Sequence, residues 1–294
     1  MAMIQTRPYE FMVKYTPQKD WIEGHGVLIA FAFFLGGVSG GLYLASLAFD
    51  SMLGMFIAWL IALVMGMVDM AHLSKPLRFW RMLLKPKTSW IARGFIFITL
   101  FIGCAAIQLA LSFWLPGTAA VTVFKVLAGI LAFGVAIYSG FVVGYVGAIK
   151  LWNSAIVPIL FVIAGLIGGL AVLLLASLGE NAARGMAMAN IMLVVLVIYA
   201  VFMAIYLWIT TYESSAARDS VMRVLRGSIA PVFWIGVVLL GIVIPIAVLS
   251  PVSLAQEASA AAFIAAAVCA ILGGVALRYV ILKAGMYSPL VPAE

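Results

Sequence analysis

Few side chains in this chain can do chemistry, and they gather at one edge of its apolar segments. His25 stands beside Glu23 and Trp21 just ahead of the first apolar run. Asp69 and His72 close the second run, and Arg93 opens the third. Tyr138 and Tyr145 lie toward the same end of the fourth, seven residues and so about two helical turns apart. An imidazole near neutral pH can donate to or accept from a small polar head group. A phenol and a carboxylate supply the complementary hydrogen bond and a proton route. A carbonyl-bearing ring, half in lipid and half against such groups, fits a quinone. The blander reading is that His25 and Tyr138 are interfacial anchors, because aromatic rings prefer that depth. Residue types alone favour the anchors.

Other chemistries fail on inventory. Two membrane haems with paired axial histidines would take four, and the chain has two histidines, so at most one haem is conceivable and it is disfavoured. Cys104 and Cys269 lie inside apolar runs with no CxxC, which reads as core packing and leaves no iron–sulfur cluster on this chain. Gly36-Gly37-Val38-Ser39-Gly40-Gly41 gives interleaved GxxxG spacings, and Gly140 with Gly144 gives another. Inside a spanning helix these serve close backbone packing, not phosphate binding. Lys125, an isolated base in the fourth run, reads as a snorkelling lysine, and Glu180, Asn181 and Arg184 read as a capped loop.

The elements that must position these residues are membrane helices. The chain is 66% hydrophobic and 9% charged, with a mean hydropathy of +1.23. Soluble domains carry about 25% charged residues, so a soluble enzyme is excluded. A net charge of +7, diluted along 294 residues, does not suit nucleic acid. Residues 1–26 are polar and aromatic, unlike a cleavable signal peptide. A span needs about 20 apolar residues, and such runs fall at 27–48, 52–70, 91–113, 119–148, 155–177, 188–211, 232–250 and 258–282. The expected fold is therefore an all-α integral membrane protein of eight transmembrane helices in two four-helix bundles. Its expected parts are an interfacial segment 1–26, a first bundle 27–148, a turn 149–154, a second bundle 155–282 and a tail 283–294. A short echo supports two halves: Arg81-Met82-Leu83 leads to Ser89, as Arg223-Val224-Leu225 leads to Ser228.

An even number of spans puts both ends of the chain on one side, here side A. Of the 17 lysines and arginines, Lys125 and Arg184 fall toward the opposite side B and the rest toward A. Positive charge marks the cytoplasmic face, so side A and both termini are expected in the cytoplasm, in the inner membrane.

Several motifs together resemble the NrfD-like family, the membrane subunits of polysulfide reductase and related molybdenum oxidoreductases. Gly36 through Tyr43 resembles its glycine-rich first helix. Asp69 through Pro76-Leu77-Arg78-Phe79 to Pro86-Lys87-Thr88-Ser89-Trp90 and Arg93-Gly94 resembles its second loop. Tyr138-Ser139-Gly140 and the closing Arg278 through Ala284-Gly285 also match. The resemblance implies a subunit with no haem or cluster of its own, which binds menaquinone or ubiquinone. A four-cluster iron–sulfur subunit would dock nearby and wire it to a molybdenum or tungsten pterin catalytic subunit. The quinone-site roles carry over to His25, Tyr138 and Asp69. Arg78, Arg81, Lys85 and Lys87 would meet the partner. In many relatives the catalytic partner is exported, whereas the charge bias here points either to a cytoplasm-facing member, the favoured reading, or to basic loops that serve docking and not topology. The rival readings are a secondary transporter, which would want polar groups at the midplane, and a passive anchor without a quinone site. At the midplane only Cys104, Gln108, Asn190 and Lys125 interrupt the apolar runs.

Overall fold

A computed structural model describes residues 16–19, 21–73, 75, 78, 80, 81 and 84–288. Pro76, Leu77 and Phe79 of the loop motif, Met82 and Leu83 of the echo, and residues 1–15 and 289–294 lie outside the described residues. Lipid offers a backbone no hydrogen bonds, so every apolar run closes its own as a helix. Among the described residues, eight helices are long and apolar enough to cross a membrane. They are α1 Val27–Ala48, α2 Met52–His72, α3 Trp90–Trp114, α4 Ala119–Gly144, α5 Ile156–Ala176, α6 Ala182–Glu213, α8 Val232–Ala255 and α9 Ala260–Ala284. The chain is an all-α, multi-pass membrane protein.

Polar residues set the starts of several helices. The side chains of Ser51, Ser89, Asn181 and Ser259 accept hydrogen bonds from the first-turn amides of α2, α3, α6 and α9. Two boundaries differ from the sequence reading. The fourth run was expected to reach 148, but α4 stops at Gly144 and the chain turns through Tyr145 to Ser154. The segment 212–231, expected as a loop, holds the amphipathic helix α7, Ser215–Leu225. A second correction concerns Lys125. It is not unpaired, because its Nζ lies 2.7 Å from Asp50 Oδ1 in the α1–α2 turn.

The centre of the molecule is the contact between α1 and α5, which bury nearly all of their inner faces. Gly37 and Gly41 meet Gly165 and Gly169 there with no side chain between them. A Cβ on Gly41 would overlap the carbonyl of Gly165, and one on Gly169 would overlap the backbone at Gly41–Leu42. Packing in lipid rests on such close approach. α4 and α2 then pack on α1, α3 on α4, and α6 and α9 on α5.

Strand β1, Thr16–Pro17, pairs antiparallel with β2, Met286–Tyr287, and Ile149 bridges to Tyr287. This small sheet joins the segment before α1, the α4–α5 turn and the segment after α9. All three lie on one side of the helices, side A.

Candidate functional site

At the side-A end of α1–α4 lies a cavity of about 400 Å³, within the range of small-molecule sites. Ile29 and Phe33 of α1, Met70 and Leu73 at the end of α2, Ile91, Phe95 and Ile98 of α3, and Val142 of α4 form apolar walls. Asp69, Tyr138 and the indole of Trp21 complete the lining. The sequence reading grouped His25, Asp69 and Tyr138, and the fold places Asp69 and Tyr138 in the lining of one cavity. One carboxylate and one phenol in apolar surroundings can hydrogen-bond and exchange protons with a ligand whose remainder is hydrocarbon.

Tyr138 is held in place from three directions. It is 4% exposed and meets Phe33 edge to face, with ring centroids 6.2 Å apart. Its other side presses on Gly94, where a Cβ would overlap the ring carbons. Behind it, Gly140 lets α4 approach Pro158 of α5, where a side chain would again collide. The Arg-Gly pair of the loop motif thus has two separate tasks. Gly94 makes room for Tyr138, while Arg93 folds back to donate to the carbonyls of Pro86 at 2.8 Å and Lys87 at 2.7 Å. The Arg93 guanidinium also lies 4.4 Å from the centroid of Trp90, whose ring stacks on Phe141 at 4.2 Å. Arg93 therefore shapes the loop and does not line the cavity.

Trp21 reaches the cavity because a strap through Gln18 and Glu23 is tied to the end of α9. Buried Gln18 donates from Nε2 to the Leu282 carbonyl at 2.8 Å and accepts from the Trp21 amide at 2.8 Å. Lys283 Nζ lies 2.8 Å from Glu23 Oε1, a hydrogen bond that holds the Glu23 carboxyl below its ordinary pKa. The Trp21 ring leans on Trp152 at 5.3 Å, and Trp152 donates to the Ile281 carbonyl. Nothing in the local sequence announces this strap, since its partners lie at opposite ends of the chain.

His25 is exposed on the Gly24–Gly26 turn before α1, between the wall residues Trp21 and Ile29 in sequence, and does not itself line the cavity. Tyr145 is likewise outside, 69% exposed beyond the end of α4. Arg78, Arg81, Lys85 and Lys87 are exposed along the α2–α3 connection, beside the cavity end of both helices. None of the four pairs with a carboxylate among the described residues. Among the described residues no group of three or more His, Cys, Asp or Glu is placed to hold a metal ion.

Arg278 escaped the sequence reading as a structural feature. It is fully buried, donates to the Phe161 carbonyl at 2.9 Å and lies 4.8 Å from the Phe161 ring centroid. The interval from Phe33 to Phe161 equals that from Gly37 to Gly165 and from Gly41 to Gly169. Arg278 thus stands over α5 as Tyr138 stands over α1. Gly37 leaves the space its guanidinium occupies.

The chain is similar to the C subunit of Wolinella succinogenes polysulfide reductase, with 27% identity over 167 residues, which covers 53% of this chain and 51% of that protein. It therefore matches about half the length of that relative. The family model for polysulphide reductase, NrfD, matches residues 24–289, nearly the whole chain. Together with the eight apolar helices, that match establishes that this chain belongs to the polysulphide reductase NrfD family of membrane proteins.

Proposed function

We propose that this subunit exchanges electrons between an iron–sulfur subunit docked on side A and a membrane quinone seated in the α1–α4 cavity. The observation that carries the reading is the cavity itself: one carboxylate and one phenol, set in apolar walls at the membrane end nearest the basic connection. A quinone ring would rest against Phe33, Phe95 and Trp21, with its isoprenoid tail in lipid. Tyr138 would donate a hydrogen bond to one quinone oxygen, and Asp69 would give or take a proton there. His25, on the turn between two wall residues, would hold the second oxygen. In the reducing direction the quinone takes two electrons from the partner and two protons through these groups, leaving as quinol. Arg78, Arg81, Lys85 and Lys87 would face the acidic surface of the iron–sulfur subunit, which passes electrons to or from a molybdenum or tungsten pterin enzyme. The quinone is menaquinone or ubiquinone, and side A with both chain ends faces the cytoplasm, across the inner membrane.

The test is quinone turnover by the intact complex carrying single substitutions. Loss of a positioned proton-transfer group costs roughly a hundredfold or more, the expectation for Asp69→Asn. Loss of one hydrogen bond costs roughly two- to tenfold, the expectation for Tyr138→Phe and His25→Ala. Wild-type turnover in all three, with assembly lost only on replacing the basic residues, would make the chain a passive anchor.

A further inference from the structure

Helix α7 follows directly on the side-A end of α6, which stops at Glu213, and it precedes the side-A start of α8 at Val232. Both neighbours cross the membrane, so α7 lies at the depth of the lipid headgroups. Aromatic side chains mark the same depth. Trp208 and Tyr212, 69% and 79% exposed, end α6, and half-exposed Trp234 opens α8. Trp and Tyr concentrate in that layer of a bilayer. Trp234 donates from Nε1 to the Leu225 carbonyl at 3.0 Å, which fixes its indole beside Arg226.

α7 turns Ala217, Val221 and Val224 inward and leaves Arg218 and Asp219 exposed, with Arg226 just beyond its end. No carboxylate pairs with Arg218, Arg223 or Arg226 among the described residues. Asp219 precedes Arg223 by four residues, the spacing of a helical ion pair, yet the two do not pair. Glu213, the other acid nearby, forms no ion pair with the three arginines either. The Nη1 of Arg223 is buried with no protein acceptor. Its desolvation also works against the charge, pushing the Arg223 pKa down. A guanidinium nitrogen left in that state favours an anion that can reach it.

We propose that Arg223, with Arg226 and Arg218, binds the phosphate of an anionic phospholipid headgroup at the side-A surface. The surroundings favour a lipid over a soluble protein. Val201, Ile205, Trp208 and Tyr212 fall on one exposed face of α6 that leads down from α7 into the bilayer. An acyl chain can lie along that face while its phosphate meets the arginines. The proposal is independent of the quinone reading, because neither α7 nor the outer face of α6 lines the cavity.

The test uses the full chain purified in mild detergent, with its partner subunits where they co-purify. Thermal unfolding is followed while phosphatidylglycerol, phosphatidylcholine or inorganic phosphate is added. Phosphatidylglycerol is expected to raise the midpoint, with little effect from the other two. Each arginine near a lipid surface contributes about fivefold in affinity, so Arg223→Gln and Arg226→Gln should each weaken the phosphatidylglycerol response by that factor. Arg218→Gln, at an exposed position, serves if Arg223→Gln does not fold. An equal response to phosphatidylcholine or to inorganic phosphate overturns the proposal. So does an unchanged phosphatidylglycerol response in the variants, whether or not they lose partner subunits.

Discussion

Replacing Gly94 with alanine tests how the cavity is built. The added methyl would overlap the Cγ, Cδ2 and Cε2 of Tyr138. Tyr138 has little freedom to move, being 4% exposed and set edge-on against Phe33. Overpacking of this kind costs about 1–3 kcal/mol. If the ring swings away to relieve it, its hydroxyl leaves the cavity, and one lost hydrogen bond weakens a ligand by roughly two- to tenfold. Gly103 on the same helix is the control, because a Cβ there meets nothing within 4 Å. Gly103→Ala should be neutral or stabilising by up to about 1 kcal/mol. Both variants are to be compared in detergent for unfolding midpoint and for dissociation of a quinone analogue. A third measurement isolates the contact: in a Tyr138→Ala background, Gly94→Ala should cost almost nothing. The reasoning fails if Gly94→Ala behaves as Gly103→Ala does. It also fails if its cost persists once the tyrosine ring is gone.

Three further perturbations have defined outcomes. Gln18→Ala removes the hydrogen bonds to Leu282 and Trp21 and leaves buried backbone groups unmatched; a loss of about 1–3 kcal/mol is expected, together with faster limited proteolysis ahead of α1. Arg93→Ala frees the Pro86 and Lys87 carbonyls, so the loop carrying Lys85 and Lys87 should lose order, and partner subunits should co-purify less well while the unfolding midpoint changes little. The hydrogen bond from Lys125 holds the Asp50 pKa below its ordinary value. Its stabilisation is complete above the ordinary carboxylate range and is lost as pH falls through and below it. The Asp50 side chain is 80% exposed, so the effect is below about 1 kcal/mol. Asp50→Asn should flatten that acid limb without backbone cost, since asparagine tolerates the positive φ of 46° at this position.

How much the sequence disclosed depends on the range of each interaction. The eight spans were legible because lipid demands a fixed apolar length, and Asp69 and Tyr138 because polar groups are sparse in such segments. Helix α7 was hidden by its shortness and by the polar and charged residues of its outer face, which read as loop. The Lys125–Asp50 pair and the Gln18–Leu282 bond join residues far apart in sequence, and no local pattern signals either. The cavity walls posed a different difficulty. Phe33 faces the site and Phe31 faces outward at 44% exposure, yet both sit in one uniformly apolar helix. In lipid the outside of a helix is as apolar as its inside, so periodicity cannot tell a wall from a lipid contact.

The glycine contact between α1 and α5 has a mechanical consequence. Helices that meet through side chains can slip as rotamers change, but two backbones in direct contact have no such bearing. Rocking one set of helices against the other would have to pull Gly37 and Gly41 away from Gly165 and Gly169 before anything else moved. The α1–α5 pair thus behaves as a rigid axle and not as a hinge. Under the proposed function, a cavity hung on that axle would keep a constant distance from the iron–sulfur centre proposed to dock on side A. Electron tunnelling, whose rate falls steeply with separation, requires that constancy, whereas alternating access could not use it.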